Sequence, residues 1–151
     1  MKPKLLAHSF AVLITFAIGS LLSAMPALAT VNLNGQVLSG GGPVANSTVT
    51  LWAATASASA QLGEARTGPD GGFTIPATAD PAKDATLYLV AKGGTSATNK
   101  AGGDNPAIAL IGVVGAKPPT TVTINEMTTI ASVWTHNQFI EGTAIKANRC
   151  N

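Results

Sequence analysis

The chain has few of the residues on which disulfide frameworks and metal sites depend. Its 151 residues include one cysteine and two histidines. With Cys150 as its only thiol, the chain cannot form an internal disulfide. Cys150 is therefore a spare thiol, pairs with another chain, or has its partner in sequence that is missing here. A structural zinc site needs four ligands, and Cys150 with His136 supplies too few of them.

Charge is also scarce, at 11% of residues, and it is balanced. The chain has nine basic and seven acidic residues, and two of the basic ones, Lys2 and Lys4, lie in the first 29 residues. Without that segment the net charge is zero. No basic patch is left to neutralise a phosphate backbone, so the sequence excludes nucleic acid as a partner.

The first 29 residues have the three-part pattern of a secretory signal peptide. Lys2 and Lys4 precede an apolar run over residues 5–22, and Ala27-Leu28-Ala29 places small residues where a signal peptidase reads. We expect cleavage after Ala29, which leaves 122 of the 151 residues as a secreted, periplasmic or cell-surface protein. The alternative is an uncleaved anchor, because a run of about 18 apolar residues can span a bilayer. If the segment is cleaved, we expect the chain to contact the membrane only through the signal peptide, before cleavage.

Residues 31–92 read as short strands separated by glycine, proline and aspartate turns. Apolar and polar residues alternate in 31–35, 48–52 and 73–75, and 86–91 is the most β-prone run. Because alternation buries one face of a strand, it predicts a mainly β fold. The predicted core residues are Val49, Leu51, Phe73, Ile75, Leu87 and Leu89.

The connecting segments are less regular. We expect an exposed loop over 53–60, a connection over 77–83, and a glycine-rich loop or linker over 93–106. Residues 107–114 are apolar and fit either a strand or a short buried helix. Residues 120–124 alternate as a strand again.

A helical pattern begins at Asn125, a residue suited to cap a helix N-terminus. Met127, Ile130, Ala131 and Trp134 then recur at i, i+3, i+4 and i+7, the spacing of one helix face. We expect this stripe, with Trp134, to pack in the core. Phe139 and Ile140 should extend it, and Gly142 should end the helix.

Several motifs in the first half resemble the carboxypeptidase regulatory-like family: Gly35-Gln36-Val37, Gly42-Pro43-Val44-Ala45, Val49-Thr50-Leu51, Thr67, Asp70-Gly71 and Phe73. The resemblance departs from the family pattern at Asn46-Ser47 and at Gly72. It implies an Ig-like, transthyretin-like β-sandwich. Because its motifs are mostly turn residues, it indicates a fold rather than an activity.

The second half is similar to a segment of exported bacterial proteins of undefined function, through the residues at 105–110 and 122–134. In those proteins the helix continues, which implies that this chain is truncated. The expected division is a signal peptide at 1–29, a carboxypeptidase regulatory-like core at 30–92, a linker at 93–106, and added strands with a C-terminal helix at 107–151.

Candidate site residues are few. Trp52 faces away from Val49 and Leu51, so an exposed Trp52, with Tyr88 beside it, is the best candidate for a ligand contact. A binding module for carbohydrate, with Trp52 as its platform, is therefore one alternative. Another is a small transthyretin-like hydrolase, which requires His136, Arg66 and Arg149 to meet in one pocket.

No motif indicates catalysis. His136 has no recognisable nucleophile motif. The carboxylates are scattered, and Asp80 and Asp84 lack the spacing of a calcium loop. We therefore expect no catalytic, cofactor-binding or metal-binding residues. The favoured function is an exported, non-catalytic module with a structural or adhesion role in the cell envelope, whose partner is a cell-surface protein or polysaccharide.

Overall fold

The computed structural model describes residues 31–56, 58–77, 84–117 and 119–146. The expectations for the signal peptide, for most of the 77–83 connection, and for Asp80, Arg149 and Cys150 lie outside these residues. Within them, no helix is long and apolar enough to cross a membrane.

The chain forms eleven short strands and one α-helix within the described ranges. The strands are β1 (Val31–Ser39), β2 (Gly42–Ala45), β3 (Thr48–Ala54), β4 (Ser59–Arg66), β5 (Gly72–Ala77), β6 (Thr86–Lys92), β7 (Thr95–Ser96), β8 (Ala109–Gly115), β9 (Thr121–Ile124), β10 (Ile140–Glu141) and β11 (Ala144–Ile145). Helix α1 (Glu126–His136) follows β9, and a short 3₁₀ turn (Asn137–Phe139) leads into β10.

The strands β1 to β9 form two sheets. The first sheet has the order β5-β1-β2-β7, with β9 pairing parallel to β1. The second sheet is antiparallel, in the order β4-β3-β6-β8. Strands β3 and β6 lie at its centre, and β6 contains the most β-prone run, 86–91, whereas β8 is an outer strand. Strands β10 and β11 form a separate hairpin.

The inner faces of the two sheets share one apolar core. The predicted core residues Val49, Leu51, Phe73, Ile75, Leu87 and Leu89 are all buried there. They pack with residues of the other strands, which are Leu33, Val37, Val44, Ala53, Ala91, Leu110, Val122 and Ile124. The chain is therefore a mainly β protein with the architecture of a β-sandwich and one short C-terminal helix, as predicted.

The hairpin from Thr67 to Phe73 has a structural role. The buried Thr67 hydroxyl donates to the Val44 carbonyl at 2.6 Å and accepts from the Ser47 N–H at 2.8 Å. It therefore joins the β4–β5 turn to the turn between β2 and β3. At Gly71, where φ is +74°, an added Cβ would lie 2.5 Å from the Val37 carbonyl oxygen. These contacts explain the turn residues without a ligand.

Two of the predicted loops are partly strand, and the segment left open between strand and helix is a strand. Strand β3 runs on to Ala54 and β4 begins at Ser59, because small side chains at 53–60 pair across the sheet as readily as they lie in a loop. The 93–106 segment contains β7, which pairs with β2. The apolar run at 107–114 forms β8 and pairs with β6 rather than forming a buried helix. Pairing with a neighbouring strand decides whether each of these segments forms a strand. The short-range sequence pattern carries no information about that pairing.

Gly35 marks the closest approach between β1 and its neighbours. A Cβ there would lie 2.4 Å from Phe73 Cζ and 2.5 Å from the Val122 carbonyl oxygen. We expect Gly35→Ala to lower the free energy of unfolding by about 1–3 kcal/mol, because overpacking shifts backbone as well as side chains. The measurement is chemical denaturation of residues 30–151. The matched control is Gly112→Ala in β8, where a Cβ meets nothing nearer than 3.8 Å; an equal loss in both variants would contradict the account.

Candidate functional site

Helix α1 begins with a reciprocal cap. The Asn125 side chain accepts from the Thr128 N–H at 2.9 Å, and the Thr128 hydroxyl accepts from the Asn125 N–H at 2.9 Å. The Glu126 carboxylate accepts from the Gly40 N–H at 2.8 Å. Hydrogen bonds from its own backbone N–H and from that of Gly40 hold the pKa of the Glu126 carboxyl below its ordinary value. The first turn of the helix is thereby tied to the β1–β2 turn.

The face of α1 that meets the sandwich is polar. The Thr129 hydroxyl accepts from the Ile111 N–H at 3.1 Å, and the Ser132 hydroxyl accepts from the Val113 N–H at 3.0 Å. Ser132 is the buried residue of the helix. Because β8 is an outer strand, its outward N–H groups need partners other than a further strand. The two hydroxyls supply them, and they fix α1 along the edge of the second sheet.

The apolar residues of α1 consequently face solvent. Met127 is 72% exposed, Ile130 61%, Val133 42% and Trp134 83%. We call these four residues the apolar helix face. The expectation that the stripe with Trp134 packs in the core is wrong, because Thr129 and Ser132 occupy the side that contacts β8. The spacing of Thr129 and Ser132, three residues apart opposite Trp134, is the sequence signal for this arrangement.

Two shallow grooves adjoin the apolar helix face. One has a volume of about 320 Å³ and is lined by Thr129, Ile130, Val133, Trp134 and Asn137. The other, of about 150 Å³, lies between α1, β8 and the β10–β11 hairpin, with Ile140 and Thr143 at its far side. Thr129 and Val133 line both grooves, so the two are continuous with the apolar helix face.

The end of the described chain covers the outer face of the second sheet. Ile145 is buried with Ala54, Tyr88, Val90 and Ile111, and Phe139 and Ile140 pack against them. The Ile145 N–H donates to the Tyr88 hydroxyl at 3.3 Å, and the Ser59 hydroxyl donates to the Ile145 carbonyl. Phe139 and Ile140 thus join this second cluster instead of extending the helix. The helix ends at His136, and Gly142 lies in the hairpin turn.

The two candidate ligand-contact residues lie side by side in the second cluster. Tyr88 is 1% exposed, so it offers no surface to a ligand. Trp52 is half-buried and stacks on Tyr88, with ring centroids 6.3 Å apart and an interplanar angle of 14°. Its indole N–H donates to the Thr50 hydroxyl at 2.8 Å. The two residues are neighbours, as expected. The prediction that Tyr88 contacts a ligand is wrong, because Tyr88 is a core residue.

His136 is the last residue of α1, where its Nδ1 lies 2.7 Å from the Thr135 hydroxyl and 3.1 Å from the Ser132 carbonyl. Its ring is thus engaged with its own helix. Arg149, a partner that the hydrolase alternative requires, is outside the described residues. In the part of the chain that the structure describes, no group of three or more His, Cys, Asp or Glu residues could hold a metal ion.

Comparisons with known proteins add little. No protein-family model and no curated protein matches the chain. A solved structure, a 9R-lipoxygenase from Cyanothece PCC8801, is similar to it at 20% identity with a TM-score of 0.41, over 68% of this chain and 16% of that one. A likeness at this level carries no argument about fold or activity.

The hydroxyl contacts of α1 can be removed singly. In Thr129→Val and Ser132→Ala, the N–H groups of Ile111 and Val113 lose their partners. We expect each variant to lower the free energy of unfolding by about 1–3 kcal/mol, the cost of leaving a buried donor unpaired. Hydrogen exchange of the Ile111 amide should accelerate in the first variant and of the Val113 amide in the second.

The matched control is Thr135→Val, whose hydroxyl donates within its own helix, to the Ala131 carbonyl at 2.7 Å. It should leave both amides protected. Unchanged exchange at Ile111 and Val113 in all three variants would show that the helix does not satisfy this strand edge.

Proposed function

We propose that the chain is an exported, non-catalytic β-sandwich module that acts through surface contacts, in a structural or adhesion role in the cell envelope. The observation that carries the proposal is the apolar helix face, which stands outside a sandwich whose own core is complete. The proposal includes the sequence-based expectations of export and of a carboxypeptidase regulatory-like core at 30–92. The Thr67 and Gly71 contacts support the latter, because they give its turn residues a structural reason.

A docking surface of this kind needs to be held in place before the partner arrives. Helix α1 is capped at Asn125, tied to the β1–β2 turn through Glu126, and bonded to β8 through Thr129 and Ser132. Because these contacts order the helix in the free protein, docking costs less conformational entropy than ordering a free segment. The apolar helix face is thus preorganised.

The occupant we propose is an amphipathic helix of a partner protein. Met127, Ile130, Val133 and Trp134 recur at the intervals of three and four residues by which helices pack ridge against groove. Ala131, also exposed, leaves room for close approach along the same side. Trp134 is the natural anchor, because aromatic residues dominate the binding energy of protein interfaces.

The charge of the helix argues against a lipid surface as the occupant. Helices that lie on anionic bilayers carry lysine and arginine on their polar face. Helix α1 has no such residue, and Glu126 in its first turn is acidic. The partner surface that fits is therefore apolar and uncharged.

The size of the face argues against a second copy of the chain. An α-helix rises about 1.5 Å per residue, so the 11 residues of α1 extend only about 16 Å. A stable interface buries about 800 Å² on each partner, more than one short helix face supplies. A partner helix longer than α1, reaching into the groove beside Ile140 and Thr143, can bury more.

The test begins in the organism that produces the protein. A photoreactive amino acid at Ile130 should cross-link the exported chain, whose intact mass should correspond to residues 30–151, to one envelope protein. Placement at the exposed Gln61, on the opposite edge of the sandwich, is the control. A synthetic peptide spanning the cross-linked residue is then titrated against purified residues 30–151. The peptide should be an amphipathic helix with one uncharged apolar face.

Trp134→Ala should weaken binding of that peptide by about tenfold or more, as loss of an aromatic anchor does. The unfolding midpoint of the Trp134→Ala variant should stay unchanged because the Trp134 side chain is 83% exposed. The exposed Gln138→Ala is the matched control. A cross-link to a second copy, binding to phosphatidylglycerol vesicles in place of the peptide, or no cross-link above the Gln61 level would each overturn the proposal.

A further inference from the structure

A second surface, which is cationic where the apolar helix face is uncharged, carries two adjacent basic residues. In the second sheet, Thr48 of β3 pairs with Arg66 of β4 on one side and with Lys92 of β6 on the other. Paired residues of neighbouring strands project to the same face of a sheet. Since Val49 next to Thr48 is buried in the core, this row faces outward. Arg66 and Lys92 therefore flank the Thr48 hydroxyl, with backbones about 10 Å apart across β3.

The row forms one wall of a groove of about 370 Å³. Its other walls are made by the turns at Asn46, Gly93 and Gly94, and by Asp104 and Pro106 beyond them. The Asp104 carboxylate accepts from the Gly94 N–H at 2.7 Å, through Oδ1, and this bond fixes it at the rim. The groove thus presents cations on its sheet side and one carboxylate on its loop side.

The fold leaves the cationic groups of Arg66 and Lys92 available to a ligand. Among the described residues, Lys92 makes no ion pair and its ammonium no hydrogen bond, and the Thr48 hydroxyl is likewise without a partner. Arg66 donates through Nη2 to the Asn46 carbonyl at 3.2 Å, which orients the guanidinium and leaves its other N–H groups available. Glu64, the nearest acid along β4, accepts from Gln61 on the same strand. Two like charges held on either side of one hydroxyl favour an anion between them.

Asp104 narrows the class of anion. A phosphate or sulfate carries negative charge on every side and would be repelled at the rim. A ligand that fits must offer an anionic group to Arg66 and Lys92 and hydrogen-bond donors to the free oxygen of Asp104. A sugar carboxylate does both, because the carboxylate and the ring hydroxyls lie at different edges of one ring.

We propose that Thr48, Arg66 and Lys92 bind the carboxylate of a uronic-acid residue in an acidic polysaccharide, with Asp104 accepting from a ring hydroxyl. Arg66 is the directional donor, because its planar fork matches a carboxylate, and Lys92 acts as a point charge. The site is open along the sheet edge, which suits one unit of a continuing polymer. It uses none of the residues of the apolar helix face.

The test uses purified residues 30–151 and trigalacturonate as the probe, followed by nuclear magnetic resonance and calorimetry. We expect saturable binding that weakens as salt is raised, with amide shifts centred on Thr48, Arg66, Lys92 and Asp104. The fully methyl-esterified trisaccharide, which lacks the charge, should bind at least about tenfold more weakly. Trp134→Ala should leave the affinity unchanged, so this result is separate from that of the helix face.

Lys92→Gln and Arg66→Gln should each weaken trigalacturonate binding about tenfold. Arg66→Lys keeps the charge and should retain part of the affinity, which separates lost recognition from lost folding. The matched control is Lys117→Gln, which removes one exposed charge outside the groove. Equal binding of the methyl ester, equal loss in Lys117→Gln, displacement by equimolar inorganic phosphate, or no saturable binding would overturn the proposal.

Discussion

The arrangement of the C-terminal half depends on the open edge of one strand. Strand β8 ends the second sheet, and its N–H groups at Ile111 and Val113 point away from β6 toward α1. An unpaired sheet edge invites aggregation and leaves backbone donors without partners. The hydroxyl oxygens of Thr129 and Ser132 accept hydrogen bonds from these donors, in the place of a further strand. Once they are committed to β8, the direction of the apolar helix face is decided, because it lies on the other side of the same helix.

The edge contact also sets the course of the chain beyond the helix. Since α1 is held beside β8, the following turn and the β10–β11 hairpin reach the outer face of the second sheet, where Ile145 closes over Tyr88. One part of that face is therefore covered, including the ring of Tyr88. The row of Thr48, Arg66 and Lys92 lies beyond the residues of this cluster and faces the groove beside Asp104. The sandwich thus presents an apolar surface and a cationic one on separate elements.

Much of the sandwich is predictable from the chain because period-two alternation records burial directly. Val49 and Leu51, or Phe73 and Ile75, can satisfy their alternation only by facing the core. The start of α1 is equally local, since Asn125 caps it through its own side chain. The direction of the helix is not local. A stripe at i, i+3 and i+7 shows that a helix is amphipathic, but a partner, here the edge of β8, decides which side is inside. Tyr88 shows the same limit, because the hairpin that buries it lies more than fifty residues further along the chain.

The central claim is that α1 binds the sandwich by its hydroxyl side and leaves Trp134 in water. The most direct measurement is tryptophan fluorescence of Trp52→Phe, in which Trp134 is the one remaining indole. The account predicts emission at the wavelength of free tryptophan in water, and quenching by acrylamide as efficient as that of a model peptide. A blue-shifted emission protected from acrylamide in the folded monomer would contradict it, because Trp134 would then lie against the sandwich.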